Sequence, residues 1–205
     1  MSSSRSKRTR IRILDAANRV LLEHGYHGVG LEAVAQAAGV SRQTVYDQFG
    51  SKIGLLTAMI ARSEEVAGLP ARLAVVRQSR AGDEMLRAWL DTVAAVEPQV
   101  YPYSRLLYAA RLDDPAAAEL WRWRLSSRRA GLRVVMERLA AERRLRPGMR
   151  SDEAADLAWA LTSPHQYEYL VVESGWSIER YRAHLEDAIS KLLLTESSHG
   201  REPPQ

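Results

Sequence analysis

Apolar residues recur three and four positions apart along nearly the whole chain, which is the spacing of amphipathic α-helices. Leu14, Ala17 and Leu21 form the first such set. The sequence has no sustained apolar–polar alternation rich in β-branched residues, the pattern typical of a half-buried strand. The sequence therefore predicts an all-α fold.

Glycine, proline and capping residues divide this pattern into separate helices. The expected helices cover about residues 8–24, 31–38, 42–48, 52–68, 83–97, 99–112, 115–142, 152–173 and 178–194. Residues 1–4 and 196–205 are expected to be disordered.

Charge is distributed unevenly along the chain. Residues 1–52 hold eight basic and four acidic side chains, so the whole net charge of +4 lies in this first quarter. A basic segment attached to a neutral body favours a polyanionic partner for that segment alone. The alternative is a solvated basic tail.

Several protein classes are excluded or disfavoured by residue type. The chain has no cysteine, which rules out disulfides, thiolate metal sites and cysteine nucleophiles. Its five histidines lack metal-ligand spacing, and no phosphate loop, nucleophile elbow or paired acid motif is present. No apolar run reaches the roughly 18 residues of a membrane span. We expect a cytoplasmic protein that is not an enzyme, has no cofactor and does not contact membranes.

Residues 31–50, LEAVAQAAGVSRQTVYDQFG, have the spacing of a helix-turn-helix. Ala35 is small enough for two helices to cross closely, and Gly39 suits the tight turn between them. Val34, Ala38, Val40 and Val45 supply the face that packs on a third helix. Ser41 caps the second helix and leaves its amide-rich N-terminus free to meet a phosphate. These features predict DNA binding.

Residues 25–56 resemble the N-terminal domain of the tetracycline-repressor (TetR) family. The matching features are Gly25-Tyr26, Ala35, the Ala38-Gly39-Val40-Ser41 turn, Thr44-Val45-Tyr46, Phe49 and Ser51-Lys52. The resemblance implies a DNA-binding head over residues 1–52, a helical effector-binding and dimerisation domain over 53–195, and a tail over 196–205. It also implies a homodimeric regulator, usually a repressor, that binds a palindromic operator and is released by a small molecule.

The same resemblance places the helix Arg42–Gln48 in the DNA major groove. The residues expected to contact DNA are Arg8, Ser41, Arg42, Gln43, Thr44, Tyr46, Gln48 and Lys52. Thr44, Tyr46 and Lys52 occupy positions that contact phosphates in the family. Gln43 lies in the first turn and can pair with adenine, whereas Arg42 can pair with guanine or touch phosphate.

Two features of the head depart from the family pattern. Gly30 replaces the usual hydroxyl N-cap of the second helix, so that phosphate contact is expected to be missing. Asp47 can accept a hydrogen bond from cytosine or lie at the groove edge and oppose non-specific binding. Arg5, Lys7, Arg8 and Arg10 are expected to form either an arm that contacts DNA or a disordered tail.

Most aromatic residues of the body carry a polar atom, because Phe49 is the only phenylalanine. Tryptophan and tyrosine can hold a ligand by stacking and hydrogen bonding, although each can equally serve as ordinary core. The residues predicted to line an effector pocket are Trp89, Tyr103, Tyr108, Trp123, Trp159 and His165. The effector itself is unknown from the sequence.

The last predicted helix carries an apolar stripe with the 3-4 spacing of a helix–helix seam. Its members are Ile178, Tyr181, Leu185, Ala188 and Leu192. The stripe is predicted to form the homodimer interface, with packing inside one subunit as the alternative. The rival functions are a low-specificity architectural DNA-binding protein and a helical small-molecule carrier or enzyme.

Overall fold

The computed structural model describes residues 2–195, and they contain ten α-helices and no β-strand. The α-helices are α1 (Ser2–His24), α2 (Leu31–Ala38), α3 (Arg42–Phe49), α4 (Lys52–Val66), α5 (Leu69–Gln78), α6 (Gly82–Ala110), α7 (Pro115–Ala141), α8 (Ser151–Leu161), α9 (Pro164–Tyr167) and α10 (Ile178–Leu193). Helix α9 continues directly into a π-helical segment, Glu168–Glu173. The all-α prediction is confirmed for this part of the chain, and the predicted tail 196–205 lies outside it.

The chain divides into two compact units, and the divisions fall after the first residue of α5 and inside α6 and α7. The first unit combines the chain up to Leu69 with Pro98–Leu125. The second combines Pro70–Glu97 with the chain from Ser126 onward. The division into domains after residue 52 stays a prediction.

The first unit is built around the predicted helix-turn-helix. Val34, Ala35 and Ala38 of α2 and Val45 of α3 are buried, as their spacing predicts. Gly39 ends α2 in the left-handed region (φ 61°), where a residue with a β-carbon is strained. The crossing of α2 and α3 therefore follows from the local sequence.

The core of the second unit consists of long apolar side chains from α6, α7 and α10. Its fully buried members are Leu90, Leu132, Val135, Met136, Leu139, Tyr181, Leu185, Ile189 and Leu193. Burying a side chain of this size contributes roughly 1.5–3 kcal/mol each, before the loss of conformational entropy is subtracted. The period of these residues in α7 and α10 fixes which face of each helix points inward.

The N-terminal helix is longer than expected. Helix α1 begins at Ser2, so residues 2–4 and the basic residues that follow them are helical and not disordered. Contact between these basic residues and DNA stays a prediction. Apolar periodicity does not predict this N-terminal extension of α1, because residues 2–10 are polar or basic. Arginine and lysine nevertheless have good intrinsic helix propensity.

Prolines lie inside two helices, α5 and α6. Helix α5 has no counterpart among the expected helices. Pro70 lies at the second position of α5, where its missing N–H costs little. Pro98 was expected to separate two helices, yet α6 continues through Pro98 and Pro102. Buried residues on both sides, such as Ala94 and Tyr101, hold the helix together despite the lost hydrogen bonds.

The expected helix 152–173 is interrupted after Leu161. Ser163 caps a new start by accepting a hydrogen bond from the Gln166 N–H, and Pro164 occupies the first turn. Thr162 is fully buried, and its hydroxyl donates to the Ala158 carbonyl at 2.9 Å. The dipeptide Ser163-Pro164 is the sequence pattern that predicts this break, because serine caps a helix and proline favours its first turn.

Candidate nucleic-acid interface

The N-terminus of α3 is capped as the sequence predicts. The Ser41 hydroxyl oxygen accepts a hydrogen bond from the Thr44 N–H at 3.0 Å and lies 2.8 Å from the Thr44 hydroxyl oxygen. The two hydroxyls therefore hold each other in place at the exposed start of the helix. The other free amides of this first turn remain available to an anion.

The outer face of α3 is polar and open to solvent. Arg42, Gln43, Tyr46 and Asp47 are exposed, and the Tyr46 residue has 56% of its surface accessible. Val45, on the opposite face, is fully buried and anchors the helix. This arrangement leaves one complete side of an eight-residue helix free to enter a DNA groove.

A hydrogen bond between two side chains organises this outer face. The Gln43 amide nitrogen donates to the Asp47 carboxylate at 2.6 Å, one helical turn away. The contact leaves the Gln43 amide with its carbonyl oxygen and one N–H, which are the groups that pair with adenine. The i,i+4 spacing of Gln43 and Asp47 is the sequence signal for this pair, which was not among the predicted contacts.

The basic start of α1 is attached to the end of α3. The Arg10 guanidinium donates to the Gln48 carbonyl at 3.0 Å and lies 4.5 Å from the centre of the Phe49 ring. The Gln48 side-chain amide donates to the Ser6 hydroxyl at 3.3 Å. Arg10 therefore has a structural role, while Arg8 is exposed beside it.

Lys52 is drawn toward the protein rather than extended into solvent. Its ammonium donates to the Tyr26 carbonyl and lies 4.1 Å from the centre of the Tyr26 ring. Burial lowers the pKa of Lys52, and the nearby Asp114 carboxylate partly opposes that shift. Asp114 also accepts a hydrogen bond from the Tyr26 hydroxyl at 3.0 Å. A phosphate contact by Lys52 would have to share its ammonium with these partners.

Comparisons with known proteins identify the family to which this helix-turn-helix belongs. Residues 13–59 match the profile described as "Bacterial regulatory proteins, tetR family". TtgW of Pseudomonas putida, named an uncharacterized HTH-type transcriptional regulator, is 31% identical over 116 residues, which are 55% of this chain and 82% of that protein. The chain belongs to the TetR family.

Other relatives of this TetR-family regulator match over different lengths. FasR of Mycolicibacterium smegmatis, named an HTH-type transcriptional activator, is 34% identical over 81 residues, which are 38% of this chain but only 36% of FasR. A transcriptional regulator from Saccharomonospora viridis, solved in complex with choline, superposes with a TM-score of 0.74 at 20% identity. That alignment covers 93% of this chain and 100% of the other, and it shows a common fold. The chain therefore has the all-helical fold and the helix-turn-helix head of TetR-family transcription regulators.

The six residues predicted to line an effector pocket are divided equally between the two units. Tyr103, Tyr108 and Trp123 lie in the first unit, whereas Trp89, Trp159 and His165 lie in the second. Trp123 exposes 62% of its surface. That these six residues line one pocket stays a prediction.

A cavity of about 180 Å³ lies within the first unit, and Tyr103 is the one predicted pocket residue that lines it. The other lining residues are Leu14, Asp15, Asn18, Met59, Arg62, Ser63, Val66 and Gln99. Its polar groups are joined to one another: the Tyr103 hydroxyl donates to the side-chain amide oxygen (Oδ1) of Asn18 at 2.7 Å, and Arg62 pairs with Asp15 at 2.7 Å. These contacts satisfy much of the lining without a ligand.

The structure corrects part of the predicted dimer seam of this TetR-family regulator. Tyr181 and Leu185 are fully buried within one subunit, so they pack in its own core and offer no surface to a partner. Ile178 and Ala188 are half-buried, and 43% of Leu192 is exposed. An apolar stripe indicates that one face of a helix is buried, but it does not indicate which helix covers that face. The sequence is therefore compatible with a dimer interface and with packing inside one subunit.

Within residues 2–195, no three His, Asp or Glu side chains are grouped so as to hold a metal ion. Over the same range, no helix has both the length and the apolar character needed to cross a bilayer.

Proposed function

We propose that this protein is a homodimeric, effector-responsive repressor that binds a palindromic DNA operator through α3. The observation that carries the proposal is the exposed polar face of α3, on which Asp47 orients the Gln43 amide at 2.6 Å. A rigidly held side chain on a capped helix is suited to reading base edges, because its geometry is set before DNA binds.

Within this face, different residues would supply affinity and specificity. Tyr46, Thr44 and the Ser41-capped helix start would meet phosphates, which give affinity and salt dependence but no sequence information. Gln43 would pair with adenine, and Arg42 with guanine or phosphate. The basic charge of residues 1–52 would hold the head on DNA through its electrostatic attraction.

A homodimer would present two copies of α3 to two half-sites. Operators of dimeric helix-turn-helix proteins are palindromic because the two-fold symmetry of the protein is repeated in the DNA. An effector would then act by binding one conformation of the body better than another and by changing the separation of the two recognition helices. The structural neighbour from Saccharomonospora viridis was solved with choline, which supports small-molecule binding by this fold.

Selection of binding sites from random duplexes tests the proposal. The purified protein should enrich sequences that contain an inverted repeat, with half-site centres separated by about one helical turn or a multiple of it. Enrichment of a single unrepeated motif would contradict the dimeric part of the proposal. Failure to enrich any sequence would contradict specific binding altogether.

Substitution of Asp47 separates its charge from its role in orienting Gln43. Asp47→Asn and Asp47→Ala should both strengthen binding to random DNA by about 1 kcal/mol per half-site, because a negative charge near phosphates is removed. Asp47→Asn keeps an acceptor for the Gln43 amide and should keep the operator preference, whereas Asp47→Ala should reduce it. Anisotropy titrations on both DNAs measure this, and equal operator preference in the two variants would show that Asp47 does not position Gln43.

Leu192→Glu tests whether the exposed part of the α10 stripe forms the dimer interface. An unpaired carboxylate buried in each subunit at the interface should cost about 3–5 kcal/mol and weaken dimerisation at least about a hundredfold. The subunit should stay folded, because Leu192 is 43% exposed within it. Sedimentation measures the dissociation, and circular dichroism checks the fold.

Val134→Glu is the matched control for this substitution, since Val134 is an apolar residue of α7 with 55% of its surface exposed. It should leave the dimer intact. A Leu192→Glu protein that remains dimeric at micromolar concentration would exclude Leu192 from the interface.

A further inference from the structure

A chain of contacts links the first residue of α4 to the connection between α6 and α7, and all of its members lie in the first unit. The Lys52 ammonium donates to the Tyr26 carbonyl and lies 4.1 Å from the centre of the Tyr26 ring. The Tyr26 hydroxyl donates to the Oδ2 atom of Asp114 at 3.0 Å. A carboxylate therefore holds Tyr26, and the carbonyl and ring of Tyr26 hold a cation.

The Asp114 side chain is fixed by the protein itself. Its other oxygen, Oδ1, accepts hydrogen bonds from the Ala116 and Ala117 N–H groups at 3.0 and 3.3 Å, so Asp114 caps α7. Tyr26 is only 6% exposed, so its ring stays in the protein when the lysine side chain moves. The Lys52 ammonium has to leave the face of this ring, which attracts cations, to extend toward a phosphate.

Lys52 supplies half of the basic side chains in the recognition helix and its flanks. Residues 41–52 contain two basic residues, Arg42 and Lys52, and one acidic residue, Asp47. Each phosphate that a lysine neutralises releases condensed counterions and steepens the salt dependence of binding by about 0.9 in the log–log slope. The position of this one ammonium therefore changes the affinity of the segment for DNA of any sequence.

Charge also favours the held position of the ammonium. Burial lowers the pKa of Lys52, and the Asp114 carboxylate opposes that shift, as expected for a negative charge that stabilises the ammonium where it lies. Removing the Asp114 charge should therefore make release of the ammonium easier.

We propose that Tyr26, Lys52 and Asp114, the lysine clamp, form an autoinhibitory contact that withholds the Lys52 ammonium from DNA phosphates. In the free protein the ammonium lies on Tyr26, and on DNA it leaves Tyr26 for a phosphate. Because phosphate contacts carry no sequence information, the clamp lowers the affinity for operator and for random DNA alike. The clamp rests on the proposed function in one respect only, which is that the head binds DNA.

Two substitutions of Asp114 remove its charge and keep a side chain that can cap α7: Asp114→Asn and Asp114→Ser. Each should bind a random duplex about three- to fivefold more tightly per head than the parent protein, which is the effect of one exposed ion pair. Each should also steepen the salt slope by about 0.9 per head, because one more phosphate is neutralised. Anisotropy titrations of the full chain across a salt series measure both effects, and circular dichroism checks the fold.

Asp113→Asn is the matched control, because it removes the same charge from the neighbouring residue. The Asp113 side chain is 75% exposed and lies 3.7 Å from a ring nitrogen of His27. This variant measures the long-range effect of one carboxylate and should change the affinity for random DNA by less than about twofold. In the Lys52→Ala background, Asp114→Asn should have no larger effect than Asp113→Asn, because the ammonium that the clamp withholds is gone.

Nuclear magnetic resonance of protein labelled at lysine observes the release directly. The chain has only three lysines, Lys7, Lys52 and Lys191, and arginine substitution of Lys7 and Lys191 assigns the three signals. In the free protein the Tyr26 ring should shift the ε-proton signal of Lys52 upfield from that of Lys191, whose side chain is 76% exposed. With saturating random duplex, the Lys52 signal should move to the position of the Lys191 signal.

Each of three results would overturn the clamp. In the first, neither Asp114→Asn nor Asp114→Ser binds random DNA more tightly than Asp113→Asn does. In the second, the increase persists in the Lys52→Ala background, and in the third, the Lys52 signal stays shifted upfield on DNA.

The titrations also distinguish failure of the clamp from failure of the proposed function. They use random duplex, so they still decide whether the clamp exists if no operator is found and sequence-specific binding fails. If neither the parent protein nor Asp114→Asn binds any duplex, DNA binding itself is contradicted, and the clamp is overturned with it.

Discussion

Arg128→Ala is expected to lower the free energy of unfolding by about 3–5 kcal/mol, because it leaves a buried carboxylate without its counter-charge. The Arg128 guanidinium donates to the Glu97 carboxylate at 2.9 Å, and the Glu97 side chain is only 6% exposed and cannot recover its lost interaction from water. Urea unfolding followed by circular dichroism measures the change.

Two further variants distinguish an unpaired charge from a simple loss of contacts. Arg129→Ala removes the next arginine, whose ion pair with Asp156 is about half exposed, and should leave stability nearly unchanged. The double variant Glu97→Leu with Arg128→Met removes both charges and should be close to the parent protein in stability. If Arg128→Ala unfolds at the same urea concentration as Arg129→Ala, the ion pair is not buried in solution.

Gln43→Ala is expected to cost about 1–3 kcal/mol per half-site on the selected operator and little on random DNA. In a homodimer the two half-sites together would lose about 2–6 kcal/mol, which is a thirtyfold or greater loss of operator affinity. The reason is that Gln43 is held toward solvent by Asp47 and has no role in the buried core.

Gln36→Ala is the matched control, because Gln36 is an exposed glutamine of α2 outside the recognition helix. Gln36→Ala should change the affinity for the operator and the affinity for random DNA by no more than about twofold each. Anisotropy titrations with both duplexes measure these effects. Equal losses on operator and random DNA would show that Gln43 contributes general affinity and does not read bases.

The DNA-binding head was largely predictable because its determinants are local. Ala35, Gly39 and Ser41 each satisfy a requirement of the helix crossing, the turn or the cap, within a few residues of one another. The hydrogen bond between Gln43 and Asp47 also lies within one helical turn, and the i,i+4 spacing of the two residues predicts it.

The body was less predictable because its important contacts are distant in sequence. Glu97 and Arg128 are 31 residues apart, and no local pattern marks them as partners. The spacing of Tyr181 and Leu185 correctly predicts that both lie on a buried face of α10. Only the folded chain shows that this face packs against residues of the same chain. Pro70 shows that a proline ends a helix or begins one according to its position, which periodicity alone does not determine.

Competition between the selected operator and random duplex in rising salt tests whether the protein binds its operator sequence-specifically. Phosphate contacts weaken together on both DNAs as salt increases, whereas base contacts preserve the difference between them. We expect the operator to be preferred by about a thousandfold or more at physiological salt, with the preference maintained as both affinities fall. If the ratio of operator affinity to random-DNA affinity approaches one, the protein does not bind its operator specifically. It would then be a low-specificity architectural DNA-binding protein.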